Sequence, residues 1–148
     1  MSTVSCSAVL AASVEKVWRV LGDFGGWHTF IPRISATELE GGQGRGPVGA
    51  VRVLSLKPDG TARERLVRYD EASRALAYGF DGPIPFPVRS YLGTVQVWPV
   101  TQGGGSFIFW SGEFDCDAEV LDKVSEIFER TYTTFLGNLA DHLESARS

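Results

Sequence analysis

Two periodicities of hydrophobic and polar residues divide this chain. A period of two dominates residues 3–10 and again residues 34–115, and it is typical of strands with one buried face. It predicts strands at 3–10, 34–40, 48–56, 61–70, 74–81, 89–99 and 105–115. Short joints of turn-forming residues separate the last six strands. Successive strands with short joints favour an antiparallel meander.

A period near 3.6 marks the helices. Ser13 has the position of a helix N-cap, and an apolar face of four residues follows it. The segment WHTFIP predicts a second short helix that Pro32 ends. A long helix is predicted at about 119–146, with one face made of Leu121, Val124, Phe128, Thr131, Phe135, Leu139 and His142.

This order of elements predicts an α+β fold. A seven-stranded antiparallel sheet needs a partner for its apolar face, and the C-terminal helix is the only predicted element large enough. We therefore expect an arrangement in which the sheet curls around this long helix, with two short helices after the first strand. A curled sheet leaves room for an internal cavity. Residues 1–148 are predicted to form a single ligand-cavity domain.

The composition and net charge of the chain limit the classes of partner that we expect for it. The 14 basic and 18 acidic residues give a net charge of -4, and the basic residues form no run or stripe. Neither nucleic acid nor a membrane is therefore expected as a partner. No basic region precedes the first apolar stretch, so no signal peptide is predicted. Cys6 and Cys116 match no redox or metal spacing, which favours reduced thiols in a cytoplasmic protein. The protein is expected to be a monomer or a homodimer.

Two charged residues fall on the apolar faces of neighbouring predicted strands. Arg52 alternates with Leu54 and Leu56, and Glu64 alternates with Leu66. Burying charges costs several kcal/mol per ion unless they are paired, and proteins tend to accept this cost at functional sites. Two other interpretations stay open. The residues form an interior ion pair without function, or a register slip turns them to solvent.

Other side chains are candidates for the same cavity. His28 follows a Gly-Gly pair near the expected mouth, where it is either a proton carrier or an exposed cap. Tyr91 is either a polar cavity residue or plain core. The stiff loop DGPIPFPVR is either a rigid turn or a lip over the opening. Aromatic residues that line a pocket or only pack the core are Trp27, Phe30, Tyr78, Phe80, Phe86, Trp110, Phe128 and Phe135. Contacts with the ligand are also predicted for Thr131, Leu54, Leu56 and Leu66.

Five segments in this order resemble the START-like (SRPBCC) superfamily, and its bacterial polyketide cyclase/dehydrase-like branch in particular. They are SVEKVWRVLGDFGGWHTFIP, VGAVRVL, RERLVRYDEASRALAYGF, VRSYLGTVQVWP and FIFWSGEFD. The resemblance covers nearly the whole chain and implies the helix-grip fold with a cavity for a small hydrophobic molecule.

The resemblance also implies roles for three residues. Arg52 and Glu64 stand where the similar lachrymatory-factor synthase has its catalytic arginine and glutamate, and Tyr91 matches a pocket tyrosine. His28 lies near the ligand-binding lysine of the plant hormone receptors, so the chain departs from them there. The receptors' gate and latch sequences are absent as well, and hormone reception is not implied.

Two functions from different classes fit these residues. A carboxylate removed from water is a stronger base, and a guanidinium holds a developing oxyanion, so an enzyme would perform cyclisation, dehydration, isomerisation or addition-elimination. A carrier or sensor needs only shape and apolar surface. A third hypothesis is a small protein that acts with a larger partner. Four convergent polar candidates favour the enzyme, and neither cofactor nor metal is expected.

Overall fold

Seven strands form one antiparallel sheet in the computed structural model, which describes residues 1–43 and 45–145. The strands are β1 (Ser2–Leu10), β2 (Ile34–Glu40), β3 (Val51–Leu56), β4 (Thr61–Asp70), β5 (Ala75–Phe80), β6 (Ser90–Pro99) and β7 (Ser106–Asp115). Their order in the sheet is β1-β7-β6-β5-β4-β3-β2, so β2 to β7 form the predicted meander and β1 pairs with β7. The predicted α+β architecture is confirmed.

The strand boundaries differ most at β3, which begins at Val51 rather than at residue 48. Pro47 has no backbone N–H to donate, and Gly49 has a φ of 99°, outside the range of extended backbone. These two residues turn the chain before the strand begins. The register of β3 against β4 then places Arg52 directly opposite Glu64.

Two short helices follow β1, as predicted. Helix α1 (Val14–Leu21) begins at Ser13, whose Oγ accepts a hydrogen bond of 3.4 Å from the backbone N–H of Lys16. A 3₁₀ helix spans Trp27–Thr29. The two helices and the segment between them bury a row of apolar side chains: Val14, Val17, Trp18, Leu21, Phe24 and Trp27.

Helix α2 (Leu121–Ser145) packs against β1 and β7, and residue 146 of the predicted helix lies outside the described residues. Its buried residues are Val124, Phe128, Tyr132, Leu136, Leu139 and Leu143. The predicted face was therefore only partly right. Its spacing averaged about 3.5 residues per turn, whereas a straight helix has about 3.6 and drifts by about 20° per heptad, so the buried face moves to later positions along α2. No helix in the described ranges is long and apolar enough to cross a membrane.

Candidate active site

A cavity of about 560 Å³ lies between the sheet and helix α2. This volume falls within the usual range of small-molecule sites, about 300–1,000 Å³. Apolar and aromatic side chains make up most of its wall. The sheet contributes Leu54, Leu56, Tyr78 and Phe80, and α2 contributes Phe128, Thr131 and Phe135.

The loop between β5 and β6 forms one edge of the cavity. Pro85 and Phe86 of this loop line it. The Phe86 ring lies 6.1 Å from the ring of Phe80 on β5 and 5.1 Å from that of Phe128 on α2, measured between centroids. Phe86 therefore bridges the sheet and the helix at the position where the sequence predicts a lip.

Arg52 and Glu64 point into the protein and meet at the cavity wall. The Arg52 Nη2 atom lies 2.6 Å from Glu64 Oε1, and Nε donates a hydrogen bond of 2.8 Å to the same oxygen. Both contacts end on Oε1, so Glu64 Oε2 receives neither. The side-chain exposure of Glu64 is 12%, compared with 1% for Arg52. Of the two charged groups, the carboxylate is thus the more accessible from the cavity.

The Arg52 guanidinium is engaged from several sides. Its Nη1 atom donates a hydrogen bond of 3.0 Å to the backbone carbonyl of Phe24. Its central carbon lies 4.0 Å from the Phe24 ring centroid and 3.9 Å from that of Trp27. Such cation–π contacts offset part of the cost of removing the charge from water. Arg52 is therefore held firmly, and it fixes the orientation of Glu64.

Three tyrosine side chains form a second polar group in the cavity wall. The hydroxyls of Tyr91 and Tyr132 lie 2.5 Å apart, and Trp110 Nε1 donates a hydrogen bond of 3.0 Å to the hydroxyl of Tyr78. Burial raises the pKa of Tyr78 to about 12, with the negative charge of Glu64 as a further cause. Burial likewise raises the pKa of Tyr91 and of Tyr132 above the ordinary value. All three are neutral hydroxyls at physiological pH.

His28 lies outside the cavity, contrary to its expected place at the mouth. The 3₁₀ helix turns Trp27 into the core, and the next residue in such a tight turn points away from it. The His28 ring is exposed, and its Nδ1 lies 3.2 Å from Thr37 Oγ1.

Phe30, Leu66 and Trp110 are core residues and do not line the cavity, so their predicted place as ligand contacts is corrected. Leu66 shares the inner face of β4 with Glu64, but the inner faces of the long strands extend beyond the cavity into solid packing. Trp110 lies 5.1 Å from Trp27 and 5.5 Å from Phe135, measured between ring centroids, within the aromatic core.

Tyr132 is the main cavity residue that the sequence reasoning missed. Its position four residues after Phe128 is the signal that would have found it, because side chains at i and i+4 share a helix face. In the structure these two rings stack at an interplanar angle of 9°. No group of three or more His, Cys, Asp and Glu side chains in the described residues is arranged to hold a metal ion.

A long helix gripped by an antiparallel sheet, with an apolar cavity between them, defines a helix-grip ligand-cavity protein. The family described as polyketide cyclase / dehydrase and lipid transport matches residues 1–144, and the chain belongs to this family. No curated protein matches the sequence.

Solved structures agree with this assignment. A Thermobifida fusca protein is 30% identical with a TM-score of 0.86, and the alignment covers 97% of this chain and 93% of that one. A Nitrosospira multiformis protein is 29% identical with a TM-score of 0.82, over 99% and 100% of the two chains. Norcoclaurine synthase from Thalictrum flavum shares the fold at 17% identity, with a TM-score of 0.77 over 99% and 96%.

Proposed function

We propose that this protein binds a small hydrophobic carbonyl compound in its cavity and catalyses acid–base chemistry on it without a cofactor. The reaction types are cyclisation, dehydration, isomerisation or addition-elimination. The observation that supports this most directly is the Glu64 carboxylate, which reaches the wall of an apolar cavity and is bound by Arg52 through one oxygen only.

Glu64 is the proton carrier in this proposal. Its Oε1 is held by Arg52, so Oε2 has a fixed direction relative to a ligand in the cavity. A carboxylate that reaches an apolar cavity is within range to accept a proton from a bound ligand. Arg52 acts as a positioning residue, because its contacts with Glu64, Phe24 and Trp27 already occupy much of the guanidinium.

A non-catalytic carrier is the second candidate. The mostly apolar wall supports it, because shape and apolar surface suffice to carry a hydrophobic molecule. The description of the family names both cyclase or dehydrase activity and lipid transport. Fold alone does not choose between them.

Proton exchange on a simple ketone separates the two functions. Methyl naphthyl ketone offers a flat apolar ring system and a carbonyl with exchangeable neighbouring protons. We expect the wild type to accelerate exchange of these protons in deuterium oxide, followed by mass spectrometry. Glu64→Gln keeps the shape of the side chain and should lower the accelerated rate by roughly 10²–10⁴-fold, the usual range for general acid–base catalysis.

Binding of the ketone, measured in parallel by tryptophan fluorescence, should change little in Glu64→Gln. The matched control is Glu113→Gln, because Glu113 is an exposed glutamate on β7. It should leave both exchange and binding unchanged. Ketone binding without faster exchange than in Glu64→Gln would contradict the acid–base role and favour the carrier.

A further inference from the structure

Three of the four tyrosines in the chain converge on one part of the cavity wall. Tyr78 comes from β5, Tyr91 from β6 and Tyr132 from α2. Three separate elements thus bring hydroxyl groups to one place. The proposed proton transfer from a ligand to Glu64 does not by itself explain this convergence.

Two glycines make room for these hydroxyls. Gly93 on β6 pairs directly with Gly112 on β7. A methyl group on Gly93 would lie 2.5 Å from Tyr78 Cζ and 2.8 Å from the Tyr91 hydroxyl, and one on Gly112 would collide with the Tyr132 hydroxyl. Glycine inside a strand weakens it, and it often marks a close approach of other groups. The two glycines therefore form a recess that the tyrosine side chains fill.

The hydrogen bonds at this recess leave one O–H proton available. The indole of Trp110 only donates, so the Tyr78 hydroxyl uses a lone pair for this bond and keeps its own proton. Tyr91 and Tyr132 share one proton between their oxygens, whichever of them donates. The Tyr78 and Tyr91 side chains also interact by hydrogen bonding, so the bonds among the three tyrosines use two of their hydroxyl protons and leave one for a ligand.

These hydroxyls are better placed than Arg52 to meet a ligand oxygen. Three bonds of the Arg52 guanidinium end on protein atoms, and aromatic rings lie against it. The tyrosines, with their raised pKa, stay protonated donors at neutral pH. A ligand carboxylate would meet the negative charge of Glu64 in an apolar surrounding, whereas a neutral carbonyl oxygen would not.

We propose that Tyr78, Tyr91 and Tyr132 form a neutral hydroxyl site that binds the carbonyl oxygen of the ligand. The inference rests on the proposed function of the same cavity. Glu64 takes a proton from the carbon next to the carbonyl, and the C–H electron pair forms the carbon–carbon double bond of an enolate. The carbonyl π pair moves to the oxygen, where the hydroxyls hold the negative charge. The Glu64 carboxyl then exchanges its proton with solvent and delivers a deuteron to the carbon, while the electron pair on oxygen re-forms the carbonyl.

Infrared spectroscopy of bound methyl naphthyl ketone with an isotope-labelled carbonyl tests this site, because hydrogen bonding lowers the carbonyl stretching frequency. We expect a lowered frequency in the wild type. Tyr132→Phe and Tyr91→Phe should each raise it towards the value in an apolar solvent and weaken ketone binding by roughly 3–10-fold, the effect of one hydrogen bond. Naphthalene, which has no oxygen, should bind equally to all of these proteins.

Tyr69→Phe is the matched control, because Tyr69 is the fourth tyrosine and its hydroxyl bonds with Arg45 and Glu71 away from the cavity. It should leave the carbonyl frequency unchanged. Circular dichroism identifies variants that fold, and the two cavity variants provide independent tests if one of them does not.

An apolar-solvent frequency in the wild type, or a frequency unaffected by both cavity variants, would overturn the hydroxyl site. Naphthalene binding as tight as ketone binding in the wild type would do the same. A lowered frequency without proton exchange would support the hydroxyl site and contradict only the role of Glu64. Failure of both naphthalene and the ketone to bind would contradict the cavity function and the hydroxyl site together.

Discussion

The two faces of strand β4 carry the same kinds of charge in opposite surroundings. On the outer face, Arg63 bonds to Glu40 at 2.8 Å and to Asp81 at 3.1 Å, and Arg65 also pairs with Asp81. The two arginine side chains are 41% and 47% exposed. Glu64, between them in sequence, faces inward to Arg52, which is 1% exposed.

The contact distances of the two sets are similar, so distance alone does not distinguish them. Solvent does. The outer charges keep most of their hydration, and such pairs contribute little to stability. Each inner charge has lost most of its hydration and depends on its partner. The cost of this desolvation can exceed the attraction between the two charges, so a buried pair is weak evidence for stability. This difference supports a functional reason for the inner pair, because a leucine pair would fill the same space without the desolvation cost.

The largest effect expected from this comparison is that of Arg52→Leu. The substitution leaves the Glu64 carboxylate buried without its partner, which typically destabilises a protein by about 3–5 kcal/mol. Urea denaturation at neutral pH, followed by tryptophan fluorescence, measures the free energy of unfolding. The exposed counterpart Arg63→Leu should cause a far smaller change.

Adding Glu64→Leu to Arg52→Leu should restore most of the lost stability, because the double variant removes the unpaired charge. Equal losses in Arg52→Leu and Arg63→Leu would show that the two faces do not differ as described. A double variant no more stable than Arg52→Leu alone would assign the loss to packing of the arginine stem and rings instead.

Strand periodicity accounts for the part of the site that was predictable. A period of two places Arg52 and Glu64 on the same face as Leu54 and Leu66, and the register of β3 and β4 sets the two charges opposite each other. The sheet and its part of the cavity wall follow from the same alternation, and the long helix follows from the period near 3.6. In a strand, the direction of a side chain depends only on whether its position is odd or even.

The helix and the loop before β2 were less predictable for geometric reasons. On α2, the positions three and four residues after Phe128 both share its face, so spacing admits Thr131 and Tyr132 alike, and the drift of the buried face decides that Tyr132 is the more buried. His28 follows a turn whose direction depends on how Trp27 packs. The recess at Gly93 and Gly112 needs the pairing of β6 with β7, which connects residues distant in sequence.

An intermediate effect on the free energy of unfolding is expected at alkaline pH, where the buried tyrosines of the inner face ionise. The folded pKa of Tyr78 is about 12, against an ordinary value of 10.0. The folded state therefore retains the Tyr78 proton more strongly than the unfolded state does. The contribution of Tyr78 to the free energy of unfolding is fully present below pH 10 and is lost as the pH rises to about 12. This shift corresponds to about 3 kcal/mol for Tyr78, and the raised pKa of Tyr91 and of Tyr132 extends the loss to higher pH.

The measurement is the free energy of unfolding between pH 8 and 12, with phenolate absorbance recorded in parallel. Tyr78→Phe should flatten the decline, since a phenylalanine does not ionise in either state. Phenolate absorbance from all four tyrosines near pH 10 in the folded protein would contradict the buried neutral cluster.

The smallest effect is expected from Asp81→Asn on the outer face. Hydrogen bonds from Arg65 and Arg63 lower the pKa of Asp81, so its contribution to stability is present above about pH 4 and is lost as the pH falls further. At neutral pH, Asp81→Asn should lower the melting temperature slightly at about 0.01 M salt. At about 1 M salt, where the Debye length falls from about 30 Å to about 3 Å, the difference should nearly vanish. Arg52→Leu is the control, because its buried charge is screened little and its loss should persist at both concentrations. An Asp81→Asn effect that persists at high salt would place this carboxylate with the inner pair and remove the distinction between the two faces.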